Sequence, residues 1–450
     1  MDITINRQNI RYAAVFMTLL YAFITRSIFA KFIFQNWIGL ISFYAVTYAC
    51  LAISFLNAFG YDGVFIYTPK KLFGILAVFF VITVGLCIKG DVYDLIYYGL
   101  ALLLPFAVGQ DIRKSSFFAK FFVVMGLFFA FGCILNVLFP SEFKAVFVPM
   151  FSQIGQASLA SVEEISGTST YFAGFTSQVG YTSFYLALGI GAVFCFREVF
   201  FKQVWIFMIG GMLAGVLLTG KRGPLVFLMA ALSAVYFIDG YGVERVIRVL
   251  QIVGALVVGF VMLAIIANAT QLDGIMRIYE AVLDLITSGS VEDAGREQLK
   301  RQAMYYFELR PIFGIGWNNF KDVYYTRGTY VHCIYIQLLC ETGLVGFCVF
   351  MAFFGSRLFH TIALVMRSRK NGATLESQFI SFSLFVQLYF LLYGITGNPL
   401  YDIEETILYF FAVGISYIPL ESEELTPDDK SPHRRRSIYE RSHTNLSIRS

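Results

Sequence analysis

Long apolar runs follow one another along the chain up to residue 418, and short polar stretches separate them. An α-helix needs roughly 17 to 25 such residues to cross about 30 Å of hydrocarbon. About twelve runs are candidates: 12–28, 36–56, 72–88, 92–109, 117–139, 175–196, 203–219, 224–238, 247–268, 332–355, 378–396 and 402–418. The pattern predicts an all-α polytopic membrane protein with about 12 transmembrane helices.

The composition agrees with membrane insertion. Of the 450 residues, 58% are hydrophobic and only 14% are charged, and the mean hydropathy is +0.68, whereas soluble domains carry about a quarter charged residues. The net charge of +4 is spread over short loops and the tail and forms no basic face. These values exclude a large soluble catalytic domain and give no support to nucleic-acid binding.

Cysteines and the N-terminus carry little further information. The 7 cysteines lie mostly in apolar stretches, without a CxxC pair or a His/Cys cluster at metal-ligand spacing. This pattern favours neither a disulfide framework nor a zinc site. The polar residues 1–11 run directly into an apolar segment without a cleavage site, which predicts a retained first helix.

Lysine and arginine are distributed unequally over the two sides of the predicted bundle. Alternate loops collect about fifteen on one side and about six on the other, so the richer side is predicted to be cytoplasmic. Both termini then lie in the cytoplasm. The serine-rich tail 419–450 is predicted to be a disordered cytoplasmic end.

Residues 1–418 are predicted to form one transmembrane domain with two long outer loops, at about 140–174 and 269–331. The second loop has helical patterns of its own, because 275–286 is amphipathic and Ser288–Ser290 breaks it. A second helix is predicted between Ser290 and Pro311. Its apolar face comprises Leu299, Ala303, Tyr306 and Phe307.

Lys221 and Arg222 stand in the very short turn between the seventh and eighth runs. Two charges in so short a turn are held near the membrane surface, where burying them is costly unless they meet an anion. Gly223 permits close backbone approach, and Pro224 suits the first helical turn. Snorkelling or topology-setting cations are the alternative, but the pair lies on the wrong side for a topology signal, which favours anion binding.

Two features of the second outer loop are less specific. Arg296 and Lys300 share a helix face, a pattern that is also typical of a solvated charged surface. The stretch Arg310–Phe320 is rich in proline, glycine and aromatic residues and predicts a tight turn along the membrane surface. Trp317 within it would be an ordinary interfacial anchor.

His332 heads the tenth run and, of the 4 histidines, is the only one near the predicted outer face. Imidazole exchanges a proton near neutral pH, which suits a general base at a membrane boundary. A single histidine is as often structural.

Arginines and one histidine on the same side suit transfer from a diphosphate leaving group. Arginine forks bind phosphate oxygens in bidentate fashion and neutralise the charge that develops on them. A divalent metal would do the same, but Glu163-Glu164 and Glu292-Asp293 are adjacent pairs whose side chains diverge. The sequence predicts neither a metal nor a cofactor.

The spacing of these residues resembles the bacterial O-antigen ligase and O-antigen polymerase superfamily, specifically over roughly 205–350. The matching residues are Arg222-Gly223, then Arg296 followed by Pro311, Gly314 and Gly316, then His332 followed by Glu341, Gly343 and Gly346. Gly174–Gln178 before the sixth run is a weaker match. Cys333 stands where the family often has Asn, so any orienting hydrogen bond from that Asn is absent at this position.

The resemblance implies a GT-C-like helical bundle in the bacterial inner membrane, with its site at the periplasmic or outer face. It would be a metal-independent, inverting glycosyltransferase that moves a glycan from an undecaprenyl-diphosphate-linked oligosaccharide to an acceptor hydroxyl. By position, Arg222 and Arg296 would hold the diphosphate and His332 would activate the hydroxyl. Further candidates for substrate binding are the cations Lys221, Lys300 and Arg301 and the aromatic residues Tyr305, Tyr306 and Trp317, whose rings suit sugar stacking or loop packing equally.

The resemblance leaves the acceptor open. A polymerase transfers to another lipid-linked repeat unit, a ligase to lipid A-core sugar, and a protein O-oligosaccharyltransferase to Ser or Thr. The sequence shows no added protein-binding domain, which favours the polymerase, with a chain-length regulator as a further candidate partner.

The alternative from another class is a transporter or lipid-linked oligosaccharide flippase. Such carriers have two related halves and charges at mid-membrane. In this sequence the candidate charges lie at one face, and the two halves are dissimilar.

Overall fold

The computed structural model describes residues 7–34, 37–59, 69–89, 94–166, 172–200, 202–240, 243–287, 294–323, 328–368 and 374–418. Within these ranges the regular elements are helices, and the one β contact is an isolated bridge between Ser27 and Thr176. The predicted all-α class is therefore confirmed. The tail 419–450, the break Ser288–Ser290 and Glu292-Asp293 lie outside the described residues.

Eighteen α-helices account for most of the described chain. The first nine are α1 (Arg7–Ile24), α2 (Ala30–Phe34), α3 (Trp37–Phe59), α4 (Pro69–Lys89), α5 (Asp94–Ala107), α6 (Gln110–Arg113), α7 (Ser116–Leu138), α8 (Pro140–Phe147) and α9 (Gln153–Ser166). The others are α10 (Val179–Cys195), α11 (Lys202–Leu218), α12 (Arg222–Ile238), α13 (Glu244–Thr270), α14 (Asp273–Thr287), α15 (Ala294–Leu309), α16 (Ile334–Ser368), α17 (Leu375–Tyr393) and α18 (Ile403–Tyr417).

Each of the twelve apolar runs has a helical counterpart, but the helices differ in length. Within the described residues, six are long and apolar enough to cross a membrane by length and composition: α3, α4, α7, α13, α16 and α17. The others are shorter or less apolar; 17 residues rise only about 26 Å, less than the roughly 30 Å of hydrocarbon. A multi-pass membrane protein is supported, and the number of 12 crossings stays a prediction.

One end of the helix bundle, called the site end below, gathers the loops that carry the candidate residues. Contacts that join the helix ends there are Ser27 with Thr176, Phe172 with Leu218, Lys89 with Asn318, and Ile334 with Gly394. These contacts bring the ends of α1, α4, α11 and α17 together with the beginnings of α10 and α16. The two predicted loops therefore meet at the same end.

Helix α18 forms the centre of the bundle and α13 its periphery. Every residue of α18 from Glu404 to Tyr417 is buried, whereas the buried residues of α13 are Leu263 and Ala267. Because α13 is apolar around its whole circumference, its exposed surface suits lipid. Stacked rings of Phe385, Tyr389 and Tyr393 run along α17 towards the site end, with centroids 5.9 and 6.0 Å apart.

The opposite end is fastened by a buried ion pair. The guanidinium of Arg113 is fully buried and lies 2.7 Å from a carboxylate oxygen of Glu376 on α17. It also donates to the main-chain oxygens of Ile415 and Ile418 at the end of α18. These bonds connect α6, α17 and α18, because a buried charge requires partners on every side.

The second outer loop contains the two helices that the sequence predicts. The apolar face of α14 packs against the ends of α11, α12 and α13. Its Ile275 and Ile278 contact a cluster that contains Leu217, Leu225 and Leu263. In α15 the predicted apolar face is confirmed at three positions. Ala303, with Leu299 and Tyr306 against it, packs on Phe320 and Val331.

Candidate active site

The turn between α11 and α12 consists of Thr219, Gly220 and Lys221. Gly220 has a φ of 65°, which is accessible to glycine at little cost. The buried hydroxyl of Thr219 accepts a hydrogen bond from Ser183 at 3.0 Å, and Arg222 is the first residue of α12. Lys221 and Arg222 are half-buried, and the turn is as short as the sequence predicts.

Arg296 lies in the first turn of α15 and is half-buried. Its Nη1 donates to the main-chain oxygen of Thr396 at 3.3 Å. Lys300, one turn later, is half-buried, whereas the side chain of Arg301 is 80% exposed and lies 3.6 Å from Glu297. An open pocket of about 390 Å³ on this helix is lined by Glu297, Lys300, Arg301, Met304, Tyr305, Glu308 and Ile336.

His332 occupies an unusual backbone conformation just before α16. Its φ of 58° is left-handed, a region that residues with a Cβ rarely adopt. Hydrogen bonds hold both sides of it: the Val331 N–H donates to the side chain of Gln337 at 3.2 Å, and the Ile334 N–H donates to the Gly394 oxygen at 2.9 Å. The strained residue is therefore held in place by its neighbours.

Arg296, His332 and Gly223, the neighbour of Arg222, meet at residues Gly394–Asn398, called the connecting segment, which follows α17. Its Thr396 accepts the bond from Arg296, and a Cβ on Gly223 would lie 2.8 Å from the Thr396 hydroxyl. Asn398 of the same segment lies beside His332, with 3.5 Å between Nδ2 and Nδ1. The sequence analysis missed this segment and extended the eleventh run to 396, although its Gly-Ile-Thr-Gly-Asn-Pro composition is a turn signal.

Helix α16 is broken at Gly343, which has φ 62° and ψ −167°. The break exposes main-chain groups, and the segment Pro311–Gly316 inserts there and pairs with them. The N–H groups of Leu344 and Val345 donate to the oxygens of Pro311 and Ile312, and those of Ile315 and Gly316 donate to the oxygens of Cys340 and Glu341, at 2.8 to 3.2 Å. The glycines that carry the family resemblance thus form one interlocked structure.

The buried carboxylate of Glu341 fixes the loop that follows this insertion. It accepts hydrogen bonds from the N–H groups of Asn318 at 2.7 Å and Phe320 at 3.0 Å. It also accepts from the amide of Gln337 at 3.3 Å, and Gln337 in turn holds Val331 beside the histidine. Glu341 therefore connects the inserted segment to the backbone of His332.

Tyr330 adds a link on the same side. Its hydroxyl donates to the Asn318 side chain at 3.1 Å. Burial raises the pKa of Tyr330, and nearby carboxylates, Asp402 first, raise the pKa further. The phenol therefore stays protonated and remains a hydrogen-bond donor at ordinary pH.

The prediction that Trp317 anchors in the membrane surface, or stacks on sugar, is wrong for this structure. Trp317 is fully buried, and its ring stacks on Tyr401 at 4.8 Å and on Phe350 at 5.5 Å. The docking of the preceding glycines draws it into the core. Tyr305 is 57% exposed and available for a ligand, whereas Tyr306 packs partly against the core below it.

Carboxylates at the start of α18 were also missed. Asp402 accepts a hydrogen bond from the Tyr181 hydroxyl at 2.7 Å, and buried Glu404 pairs with Arg26 at 2.8 Å. Glu405 is buried beside them. Because Arg26 follows the end of α1, its pair with Glu404 joins α1 to α18, and the bond from Tyr181 to Asp402 joins α10 to the start of α18.

The weaker motif Gly174–Gln178 lies next to this group. Gly174 has a φ of 60°, and a Cβ there would lie 2.6 Å from the Cys133 nitrogen on α7. The Ser177 N–H donates to the Arg26 oxygen at 2.8 Å. The motif therefore makes a close backbone crossing between α1 and α7, and it makes no contact with Arg222, Arg296 or His332 among the described hydrogen bonds.

Part of the chain matches a known family model. Residues 207–351 match the family model described as O-antigen ligase, and no curated protein matches the chain. The matched region includes Arg222, Arg296 and His332 together with the interlocked glycines. Over residues 207–351, the chain is therefore similar to the O-antigen ligase family, in agreement with the resemblance of its motifs.

Proposed function

We propose that this membrane protein is a surface-polysaccharide polymerase. It would act as an inverting, metal-independent glycosyltransferase of the GT-C type, with an undecaprenyl-diphosphate-linked glycan as donor and a second lipid-linked repeat unit as acceptor. The observation that carries the proposal is the meeting of three candidate positions at the connecting segment: Arg296, Gly223 next to Arg222, and His332.

The two arginines suit the donor diphosphate. Arg222 begins α12 and Arg296 lies in the first turn of α15, so each guanidinium stands where a helix N-terminus adds partial positive charge and free N–H donors. Both side chains are half-buried. Partial burial strengthens their attraction for an anion, because less water competes for the charges.

His332 suits the acceptor. In the proposed step its imidazole takes the proton from the acceptor hydroxyl while that oxygen forms a bond to the anomeric carbon. The bond from the anomeric carbon to the diphosphate breaks on the opposite face, which inverts the configuration. The charge that develops on the leaving undecaprenyl diphosphate is neutralised by Arg222 and Arg296.

The open pocket on α15 suits the sugars. Lys300 lies one helical turn beyond Arg296, and the exposed ring of Tyr305 offers a flat apolar face at the pocket wall. Arg301 and Lys221 are further candidates for binding phosphate or sugar hydroxyls.

The orientation belongs to the same proposal. The site end would face the periplasm or the outside, and both termini would lie in the cytoplasm of a bacterial inner membrane crossed by about 12 helices. The charge count along the sequence supports this orientation.

A ligase is the second candidate, because the matching family model carries that description. Polymerase and ligase use the same donor and differ in the acceptor. A strain that lacks the gene distinguishes them on a surface-glycan gel. Single repeats on the core without a ladder indicate a polymerase, whereas loss of all attached glycan with accumulation of lipid-linked polymer indicates a ligase. An unchanged gel would contradict both.

Point variants test the mechanism in the same strain. We expect His332→Ala, Arg222→Ala and Arg296→Lys each to abolish the ladder at unchanged membrane abundance, the last because the fork is lost while the charge stays. Arg245→Ala is the matched control, since Arg245 lies at the start of α13, at the opposite end of the bundle. A normal ladder from both His332→Ala and Arg222→Ala would refute the mechanism.

A further inference from the structure

We propose that an apolar surface around the break in α16 inserts into the lipid bilayer and anchors the end of α15 to the membrane. Five side chains form this surface, called the interlock patch below: Leu309, Ile312, Phe313, Leu344 and Val345. The sequence predicts a membrane contact of this loop through Trp317, which is buried in the structure. The contact proposed here is independent of the reaction at the site and of the side that the site end faces.

The members of the interlock patch are held together by the main chain. The N–H groups of Leu344 and Val345 donate to oxygens of the segment Pro311–Gly316 at 2.8 and 3.2 Å. Leu309 precedes that segment by two residues and is the last residue of α15. The five side chains are between 47 and 71% exposed, and Phe313 is the most exposed of them. A contiguous apolar surface of this kind marks a contact with lipid or with another protein.

Helix α4 beside the patch presents an apolar stripe to the outside of the bundle. It packs against α16, because a Cβ on Gly346 would lie 3.1 Å from the side chain of Val81, and both helices are long and apolar enough to cross a membrane. Exposed apolar side chains recur on α4 at every fourth residue, at Phe80, Val84 and Ile88. Residues four apart share one helix face, and an exposed apolar face on a membrane-crossing helix is covered by lipid.

This lipid-facing surface continues without a gap into the interlock patch. Ile88 lies in the last turn of α4, and a Cβ on Gly316 would lie 3.4 Å from its side chain. The inserted segment is therefore at the depth of the end of α4. On α16 the exposed Cys348 lies one turn beyond Leu344, which itself belongs to the patch. Because hydrocarbon covers the exposed faces of α4 and α16, it also reaches the patch.

The charge next to the patch favours lipid over a second protein. Arg310 stands between Leu309 and the inserted segment, and it is exposed. An arginine at such a place lays its apolar stem on the hydrocarbon boundary and extends its guanidinium to the lipid phosphates. A cation flanked by leucine and phenylalanine is typical of interfacial anchors. Phe313 thus takes the anchoring position that the sequence assigned to Trp317.

The anchor fixes α15 relative to the membrane. Tyr305 lies one turn before Leu309 on the same face of this helix and lines its open pocket. Arg296, in the first turn, is about 20 Å from Leu309 along the helix axis at 1.5 Å per residue. A fixed end at Leu309 therefore sets the depth of the pocket below the lipid headgroups and limits the movement of the helix that carries Arg296.

Photolabelling from within the bilayer tests this contact. The full-length protein is reconstituted into vesicles of phosphatidylethanolamine and phosphatidylglycerol that contain a phospholipid with a diazirine in its acyl chain. After irradiation, mass spectrometry of the digested protein locates the attached lipid. We expect residues 309–313 to be labelled as strongly as α13, whereas residues 297–301, the polar part of α15, should carry no label above background.

A double variant and a matched control complete the experiment. Ile312→Ser combined with Phe313→Ser removes two of the exposed side chains and should lose most of the label on 309–313, with the label on α13 unchanged. Tyr305→Ser is the control, because Tyr305 is an exposed aromatic residue on α15 outside the patch, and its label should equal that of the wild type. The fluorescence of the buried Trp317 reports whether the variants are folded. If the double variant does not fold, the labelling of the wild type decides.

The outcomes distinguish lipid from a second copy of the chain. Label on α13 without label on 309–313 in the wild type overturns the membrane contact, and so does an unchanged label in a folded double variant. With p-benzoylphenylalanine in place of Phe313, irradiation should crosslink the protein to lipid alone. Crosslinked dimers at this position would instead show that a second copy covers the patch and would overturn the proposal.

Discussion

Replacing Gly343 with alanine tests whether the interlock between α16 and Pro311–Gly316 stabilises the protein. With φ 62° and ψ −167°, Gly343 lies in a region that is essentially restricted to glycine. A residue with a Cβ costs about 1–3 kcal/mol there. The new Cβ would also clash with the main-chain oxygen of Ile312, so the insertion has to move away.

The hydrogen bonds add to this cost. Four main-chain bonds join the inserted segment to the break, and each contributes about 0.5–1.5 kcal/mol net. If half of this contribution is lost together with the backbone strain, we expect Gly343→Ala to lower the free energy of unfolding by roughly 2–6 kcal/mol. This is a large fraction of the 5–15 kcal/mol typical of a folded domain.

Unfolding in detergent with increasing SDS measures this difference, and the fluorescence of Trp317, buried next to the interlock, reports it. Gly355→Ala is the control on the same helix, because a Cβ at Gly355 meets no atom within 4 Å. Removing that glycine should leave stability unchanged or raise it by up to about 1 kcal/mol. Equal midpoints for Gly343→Ala and wild type, or an equal loss in both variants, would refute the reasoning.

Two further pairs of variants test other parts of the structure. Trp317→Ala should cost about 3–5 kcal/mol because its ring is fully buried, whereas Tyr305→Ala should change stability by less than about 0.5 kcal/mol. Both are measured in the same SDS titration, followed by circular dichroism because the first variant lacks the fluorescent reporter, and similar losses would contradict the assigned burial. Glu376→Gln should cost about 3 kcal/mol because it removes a carboxylate that pairs with the fully buried guanidinium of Arg113. Glu297→Gln breaks an exposed pair and should cost at most about 1 kcal/mol. If Glu376→Gln lost no more stability than Glu297→Gln, the buried pair would be dispensable.

Apolar periodicity alone predicts most of the helices of this protein. Burial of apolar side chains in lipid or core leaves a clear signal, so the predicted runs overlap the observed helices, and α15 ends before Pro311 as expected. The same signal gives the ends less well. The apolar pattern predicted that the eleventh run continues to 396, because Ile395 is apolar. In the structure α17 ends at Tyr393 and the backbone has already turned at Ile395.

The interlock shows what the sequence could not provide. Glycines at 314, 316 and 343 indicate unusual backbone or close approach, but nothing in their spacing says that two of them dock on the third. The docking of Pro311–Gly316 on α16 also buries Trp317, which the sequence analysis had placed at the membrane surface. An aromatic residue near a predicted membrane boundary is read as an anchor, and only the tertiary structure shows that the preceding turn directs it inwards.

The connecting segment escaped sequence reasoning for a more general reason. Arg296 and the Ile334 N–H both bind main-chain oxygens, those of Thr396 and Gly394, and Gly223 is near Thr396 because it has no side chain. Such contacts constrain the path of the backbone and leave most side chains of the segment undetermined. A reading based on side-chain chemistry therefore finds the arginines and the histidine but not the loop that joins them. Asn398 is the exception, because its side-chain nitrogen lies 3.5 Å from Nδ1 of His332.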